Sequence, residues 1–165
     1  METNNPEGAI AIYNTLLSRN DLQRIEKRLA FFNLGVIHHR KGDSEKGVAY
    51  WKDAASIPVG ENEALLDAEE LELAAAAFMN LGAHYVLAED IEKGLGYLQA
   101  AAELDPSDGE IRYNLAATLA TVGRHEDAIR EFEAAEERGI EIAREVIDKI
   151  KQRLEENEKS AEKKE

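Results

Sequence analysis

The sequence predicts an all-α protein: a right-handed superhelical array of antiparallel helix pairs closed by a C-terminal helix. Three observations predict it. A short motif returns along the chain, as Phe32-Asn33-Leu34-Gly35, Met79-Asn80-Leu81-Gly82 and Tyr113-Asn114-Leu115-Ala116. The last two copies lie 34 residues apart and the first two 47 apart, and self-similarity near that period marks stacked helix-turn-helix units. A second motif follows each copy: Gly47-x3-Trp51-x2-Ala54, Gly94-x3-Leu98-x2-Ala101 and Ala128-x3-Phe132-x2-Ala135. A small residue lets two helices approach, and the large residue four positions on lies on the same face. The third observation is compositional. Only Pro6, Pro58 and Pro106 interrupt a chain rich in helix formers, and 44% apolar residues can supply a continuous core.

Taken in order, helices are expected over roughly 7–18, 21–41, 44–57, 62–88, 91–104, 108–122, 125–138 and 140–157. Asn20-Asp21-Leu22-Gln23 reads as the start of the second, and Gly42-Asp43 as the turn that ends it, with Gly42 left-handed. Pro58 and Pro106 each stop a second helix of a pair. Ser107 to Glu110 reads as a capping box with Ser107 as N-cap. The other pair turns fall at Glu89-Asp90 and Gly123-Arg124.

Between Pro58 and Phe78 the chain carries 13 residues more than the period needs. Neither Gly nor Pro interrupts residues 61 to 81, so one helix is expected from Asn62 to about Leu87, extended backwards by roughly 20 Å. Its Leu65, Leu66, Leu71 and Leu73 need cover from within the chain or from a partner. At the C-terminal end, Ala143, Val146, Ile147, Ile150 and Leu154 form an apolar stripe with a charged opposite face, as a capping helix requires. The charged residues after Asn157 are expected to fray.

The pattern resembles the tetratricopeptide repeat. Phe78, Leu81, Gly82, Tyr85, Gly94, Leu98, Ala101 and Pro106 follow that signature closely. Leu115, Ala116, Leu119, Ala128, Phe132 and Ala135 follow it without the closing Pro, and Phe31, Leu34, Gly35, Trp51, Ala54 and Pro58 with His38 at an aromatic place. Ala9-Ile10-x2-Tyr13 is similar to the second helix of a further repeat. The expected organisation is one array over 1–157, with a half repeat at 7–18, repeats at about 28–58, 62–106 and 107–138, a cap at 140–157 and a charged tail at 158–165.

The resemblance implies that first helices line a concave groove and that the residue before Leu-Gly points into it. Asn33, Asn80 and Asn114 stand there. Each amide offers a donor and an acceptor, so three in register can hold a peptide backbone. Phe32, Val36, Met79, Ala83, Val86, Tyr113, Ala117 and Ala120 are expected on the groove or its floor, and His39 and Arg40 at one end could take a carboxylate. Some chaperone-associated members clamp an acidic tail. The basic places of that clamp fall here on Phe32, Glu110 and Asn114, none of them basic, so that partner is not implied.

The net charge is −14. Asp53 to Ile111 holds fourteen acidic residues against Lys93, whereas Arg19 to Lys52 holds eight Lys/Arg against four acidic residues. An acidic middle repels phosphate, which argues against nucleic acid, and draws cationic segments. The partner expected is therefore a protein segment that is apolar on one face and basic, bound by a non-catalytic, adaptor- or chaperone-like scaffold. The alternative is a structural protein assembling with itself through the extended acidic helix.

There is no Cys, His38-His39, His84 and His125 lack metal-ligand spacing, and no serine stands in a nucleophile motif. No catalytic residue, metal or cofactor is expected. The start of the chain has neither a basic nor an apolar stretch, and no run reaches the roughly 20 apolar residues of a membrane span. A cytoplasmic location is the corresponding expectation.

Overall fold

The computed structural model describes residues 5–59 and 68–162. Among these residues there are eight helices and no strand: α1 (Pro6–Leu17), α2 (Arg24–Arg40), α3 (Ser44–Ser56), α4 (Ala68–Leu87), α5 (Ile91–Leu104), α6 (Gly109–Thr121), α7 (His125–Glu137) and α8 (Ile142–Glu162). α2 packs chiefly on α3, α4 on α5 and α6 on α7, and successive pairs stack through α3–α4 and α5–α6 contacts. α1 leans on α2 at one end, and α8 covers α7 at the other.

The repeated motif explains the pairing. In the first pair, a Cβ on Gly35 would lie 2.4 Å from the Trp51 indole, and a Cβ on Gly47 3.1 Å from the Gly35 carbonyl. In the second, a Cβ on Gly82 would lie 2.6 Å from Leu98, and one on Gly94 3.0 Å from the Gly82 carbonyl. The two backbones of each pair thus touch at small residues, with the large residue of the second helix lying across the glycine of the first. Trp51 is therefore seated on Gly35 of the facing helix, not on Gly47 of its own. In the third pair Ala116 and Ala128, both fully buried, take these places.

The turns repeat as closely. Gly42, Glu89, Gly123 and Gly139 all have φ between 63° and 90°. After each, a backbone N–H reaches back to close the helix: Asp43 to His38 O, Asp90 to Tyr85 O, Arg124 to Leu119 O and Ile140 to Ala135 O, at 2.9–3.1 Å. This is the Schellman closure, with the left-handed residue held by glycine at three turns and by Glu89 at one.

Three boundaries differ from the sequence expectation. α2 begins at Arg24, because Arg19 holds Asp21 by two bonds of 2.9–3.0 Å in the preceding turn. Glu26 then closes the helix start by accepting the Gln23 N–H at 2.9 Å. The N-cap of α6 is Asp108, not Ser107: Asp108 Oδ1 accepts the N–H groups of Glu110 and Ile111 at 2.7 and 3.1 Å. Ser107 Oγ instead donates to Asp105 at 2.7 Å. The ionised Asp108 is the stronger acceptor for the helix's free donors. α8 continues to Glu162 where an end near 157 was expected.

α4 is continuous from Ala68 to Leu87. The start of its expected extension, with Leu65 and Leu66, lies outside the described residues. Its first described turn is held within the monomer: Glu70, buried, faces the fully buried Arg28 of α2 at 3.4 Å. Arg28 also donates to the carbonyls of Ala54 at 2.9 Å and Ile57 at 2.8 Å, satisfying the C-terminal end of α3. Burial pulls the Arg28 guanidinium below the usual arginine range, and Glu70 works against that shift.

Candidate binding groove

Stacking the pairs places α2, α4, α6 and α8 side by side, and three pockets follow one another across them. The first, of about 270 Å³, lies between α2 and α4 and is lined by Val36, His39, Arg40, Trp51, Asn80, Ala83, His84 and Leu87. The second, of about 260 Å³, lies between α4 and α6 and is lined by Ala83, Val86, Leu87, Leu98, Asn114, Ala117, Thr118 and Thr121. The third, of about 500 Å³, lies between α6 and α8, among Ala120, Thr121, Gly123, His125, Val146, Lys149, Ile150, Arg153 and Leu154. Ala83 and Leu87 belong to the first two pockets and Thr121 to the last two, so they form one groove. Leu87, at the centre, is 82% exposed.

The structure gathers most of the residues singled out in the sequence. Asn80, Asn114, Val36, Ala83, Val86, Ala117, Ala120, His39 and Arg40 all line this groove. Phe32, Met79 and Tyr113 line none of the three pockets. Phe32 packs against the Val48–Trp51–Leu81 cluster, and Met79 and Tyr113 against the larger cluster around Phe132. Tyr113 meets the Phe132 ring edge-on at 5.2 Å. Asn33 lines none of the three pockets either, and its amide donates to Leu29 O of its own helix at 2.9 Å. Among the described residues the side-chain amides of Asn80 and Asn114 carry no intramolecular hydrogen bond, leaving both free for a ligand.

The charge of the groove is not the charge of the chain. Among the described residues no Asp or Glu lines any of the three pockets; the ionisable residues there are His39, Arg40, His84, His125, Lys149 and Arg153. Among the described residues, eight of the ten arginines reach a carboxylate within 4.0 Å; Arg40 and Arg153 do not. One stands at each end of the groove. Burial, reinforced by His39 and Lys52, lowers the His84 pKa from its ordinary value, so His84 is neutral near pH 7. Nδ1 of His125 is buried without a hydrogen-bond partner.

What sequence reasoning missed was α8 as a groove wall and Arg28–Glu70 as its brace. Arg28 precedes Phe31 and Gly35 by three and seven residues, so helical spacing alone puts it on the buried stripe. Among the described residues, no group of three metal-binding side chains converges, and no helix is long and apolar enough to cross a membrane.

Comparison with known proteins agrees with this architecture. Residues 79–141 match the family model of the tetratricopeptide repeat. Crystal structures of MamA have a similar fold. One, "MamA AMB-1 P212121", is 16% identical over 93% of this chain and 76% of that chain, with a TM-score of 0.65. Another, "Crystal structure of MamA", is 19% identical over 95% of this chain and 91% of that one, with a TM-score of 0.60. No curated protein sequence matches the chain. Residues 79–141 thus carry the sequence signature of the tetratricopeptide repeat, and the fold of the whole chain is similar to that of the MamA structures.

Proposed function

We propose that this protein is a non-catalytic scaffold that holds a peptide segment of another protein in the groove across α2, α4, α6 and α8. The observation that carries this reading is the juxtaposition of two free amides, Asn80 and Asn114, with the uncovered apolar wall of Ala83, Val86, Leu87 and Ala117. Amides set the register of a bound backbone, and buried apolar side chains supply most of the affinity. Leu87 is a large apolar side chain left in water where the first two pockets meet, surface that a bound segment would cover.

The test is selection of binders from a displayed peptide library, followed by affinity measurement on variants. Asn80→Ala with Asn114→Ala should weaken the selected peptides roughly tenfold or more, about 1.4 kcal/mol, while leaving thermal unfolding unchanged. Peptides whose affinity ignores both Asn80→Ala/Asn114→Ala and Ala83→Glu bind elsewhere, and the groove reading then fails.

A second reading has one observation behind it. α1 buries none of its residues fully and leaves Ile12 67% exposed, an apolar side chain open to a second copy of the chain. Self-assembly through this end would appear as a concentration-dependent mass in light scattering that Ile12→Glu abolishes.

A further inference from the structure

The sequence expectation of a basic partner rested on the acidic stretch from Asp53 to Ile111. Among the described residues, none of those carboxylates lines the walls of the groove. Resting on the groove as the binding site, we infer that its ligand is an apolar segment flanked by carboxylates, one acidic cluster for each end.

Three observations point to this chemistry. First, among the described residues the walls hold no acidic side chain, although Asp and Glu outnumber Lys and Arg in the sequence by 34 to 20. A surface drawn at random from this chain would be acidic. Second, the two arginines without a carboxylate partner among the described residues are the two in the groove walls, Arg40 on α2 and Arg153 on α8. An unpaired guanidinium keeps its five donors for an incoming carboxylate, which it can bind by two parallel bonds. Third, the charge is segregated: cationic side chains stand in the outer two pockets, and the central pocket has none. An uncharged centre is thus flanked by a cationic surface at each end.

The spacing sets the ligand. Packed neighbours such as α2–α4 and α4–α6 lie about 8–10 Å apart, and α8 stands across the third pocket from α6, so α2 to α8 spans at least roughly 25–30 Å. An extended chain covers that in about eight or nine residues. The segment inferred has acidic residues near both ends of such a stretch and Leu-sized side chains between them, the central ones meeting Leu87. The strongly acidic exterior repels a misplaced ligand of this kind, so the charge pattern contributes to selectivity as well as attraction.

The experiment uses two labelled synthetic peptides with the same apolar centre, one flanked by glutamates and one by lysines. Fluorescence anisotropy is measured on the wild-type protein, on Ala83→Glu, and on Arg40→Glu/Arg153→Glu. The glutamate peptide should bind the wild type at least about tenfold tighter than the lysine peptide, and the double reversal should invert that order. Circular dichroism checks that each variant is folded. Equal binding of both peptides, lost in Ala83→Glu, overturns the acidic ligand while keeping the groove. Tighter binding of the lysine peptide to the wild type also overturns it. Binding of neither peptide, or binding indifferent to Ala83→Glu, overturns the groove and the acidic ligand together.

Discussion

The contact between Gly35 and Trp51 makes a prediction whose sign depends on context. Trp51 is 3% exposed, and the three atoms nearest to a Cβ built on Gly35 all belong to its indole, the closest at 2.4 Å. Gly35→Ala must therefore push a ring that fills the space between α2 and α3, and overpacking of this kind costs about 1–3 kcal/mol. Trp51→Ala removes the ring and leaves a cavity, for a loss of about 3–5 kcal/mol. In that second background the obstacle to a methyl group at position 35 is gone. Alanine in a helix interior is favoured over glycine by about 0.5–1 kcal/mol, so Gly35→Ala should now stabilise. The four proteins form a double-mutant cycle with a coupling of roughly 2–4 kcal/mol. Urea unfolding followed by helical circular dichroism is the assay, because Trp51 is the sole tryptophan and its fluorescence vanishes with it. A Gly35→Ala penalty of the same size in both backgrounds would show that the helix approach is fixed by something other than this ring.

Three further outcomes are expected. Glu70→Ala should destabilise by about 3–5 kcal/mol in urea unfolding, because it leaves Arg28 buried without its carboxylate, while Arg28→Met with Glu70→Leu should recover much of the loss. Glu89→Gly should stabilise by roughly 1 kcal/mol in thermal unfolding, since Glu89 holds a left-handed φ of 63° that glycine adopts freely. His84 has a folded pKa below its unfolded value, so the unfolded chain binds the proton first as pH falls. Stability should therefore be full above the unfolded pKa and decline as pH drops through it toward the lower folded value. His84→Gln should flatten that part of the stability–pH curve.

The all-helical class, the pairing order and the turns were legible because each rests on local spacing. Leu34-Gly35 and Leu81-Gly82 declare a helix face by themselves, and Gly42 and Gly123 declare a left-handed turn. Other features depend on which distant residue arrives opposite. Nothing in the linear neighbourhood of Arg28 names Glu70, 42 residues away, as its partner. The seat of Trp51 on Gly35 is likewise a cross-helix fact. The capping assignments slipped by one to three residues because two or three competing acceptors stand together, and tertiary or turn contacts choose between them. Charge along the chain and charge on the groove differ for a similar reason. Summed along the chain, residues 53–111 read as acidic, yet the groove takes one face of four helices, and among the described residues the faces that line it carry only histidine, lysine and arginine as ionisable groups. Phe32, Met79 and Tyr113 adjoin the repeated Asn and pack against the buried clusters, outside the walls of the three pockets.

Photo-crosslinking shows whether the partner sits in the groove. A benzophenone amino acid is placed at Leu87, exposed in the middle of the groove, and separately at Gly96, which is exposed on α5, has open space around it and lines none of the three groove pockets. A selected peptide is then irradiated with each protein. Capture through position 87 and not through position 96 is the predicted result. Capture through position 96 alone would place the partner on the outer face and contradict the account.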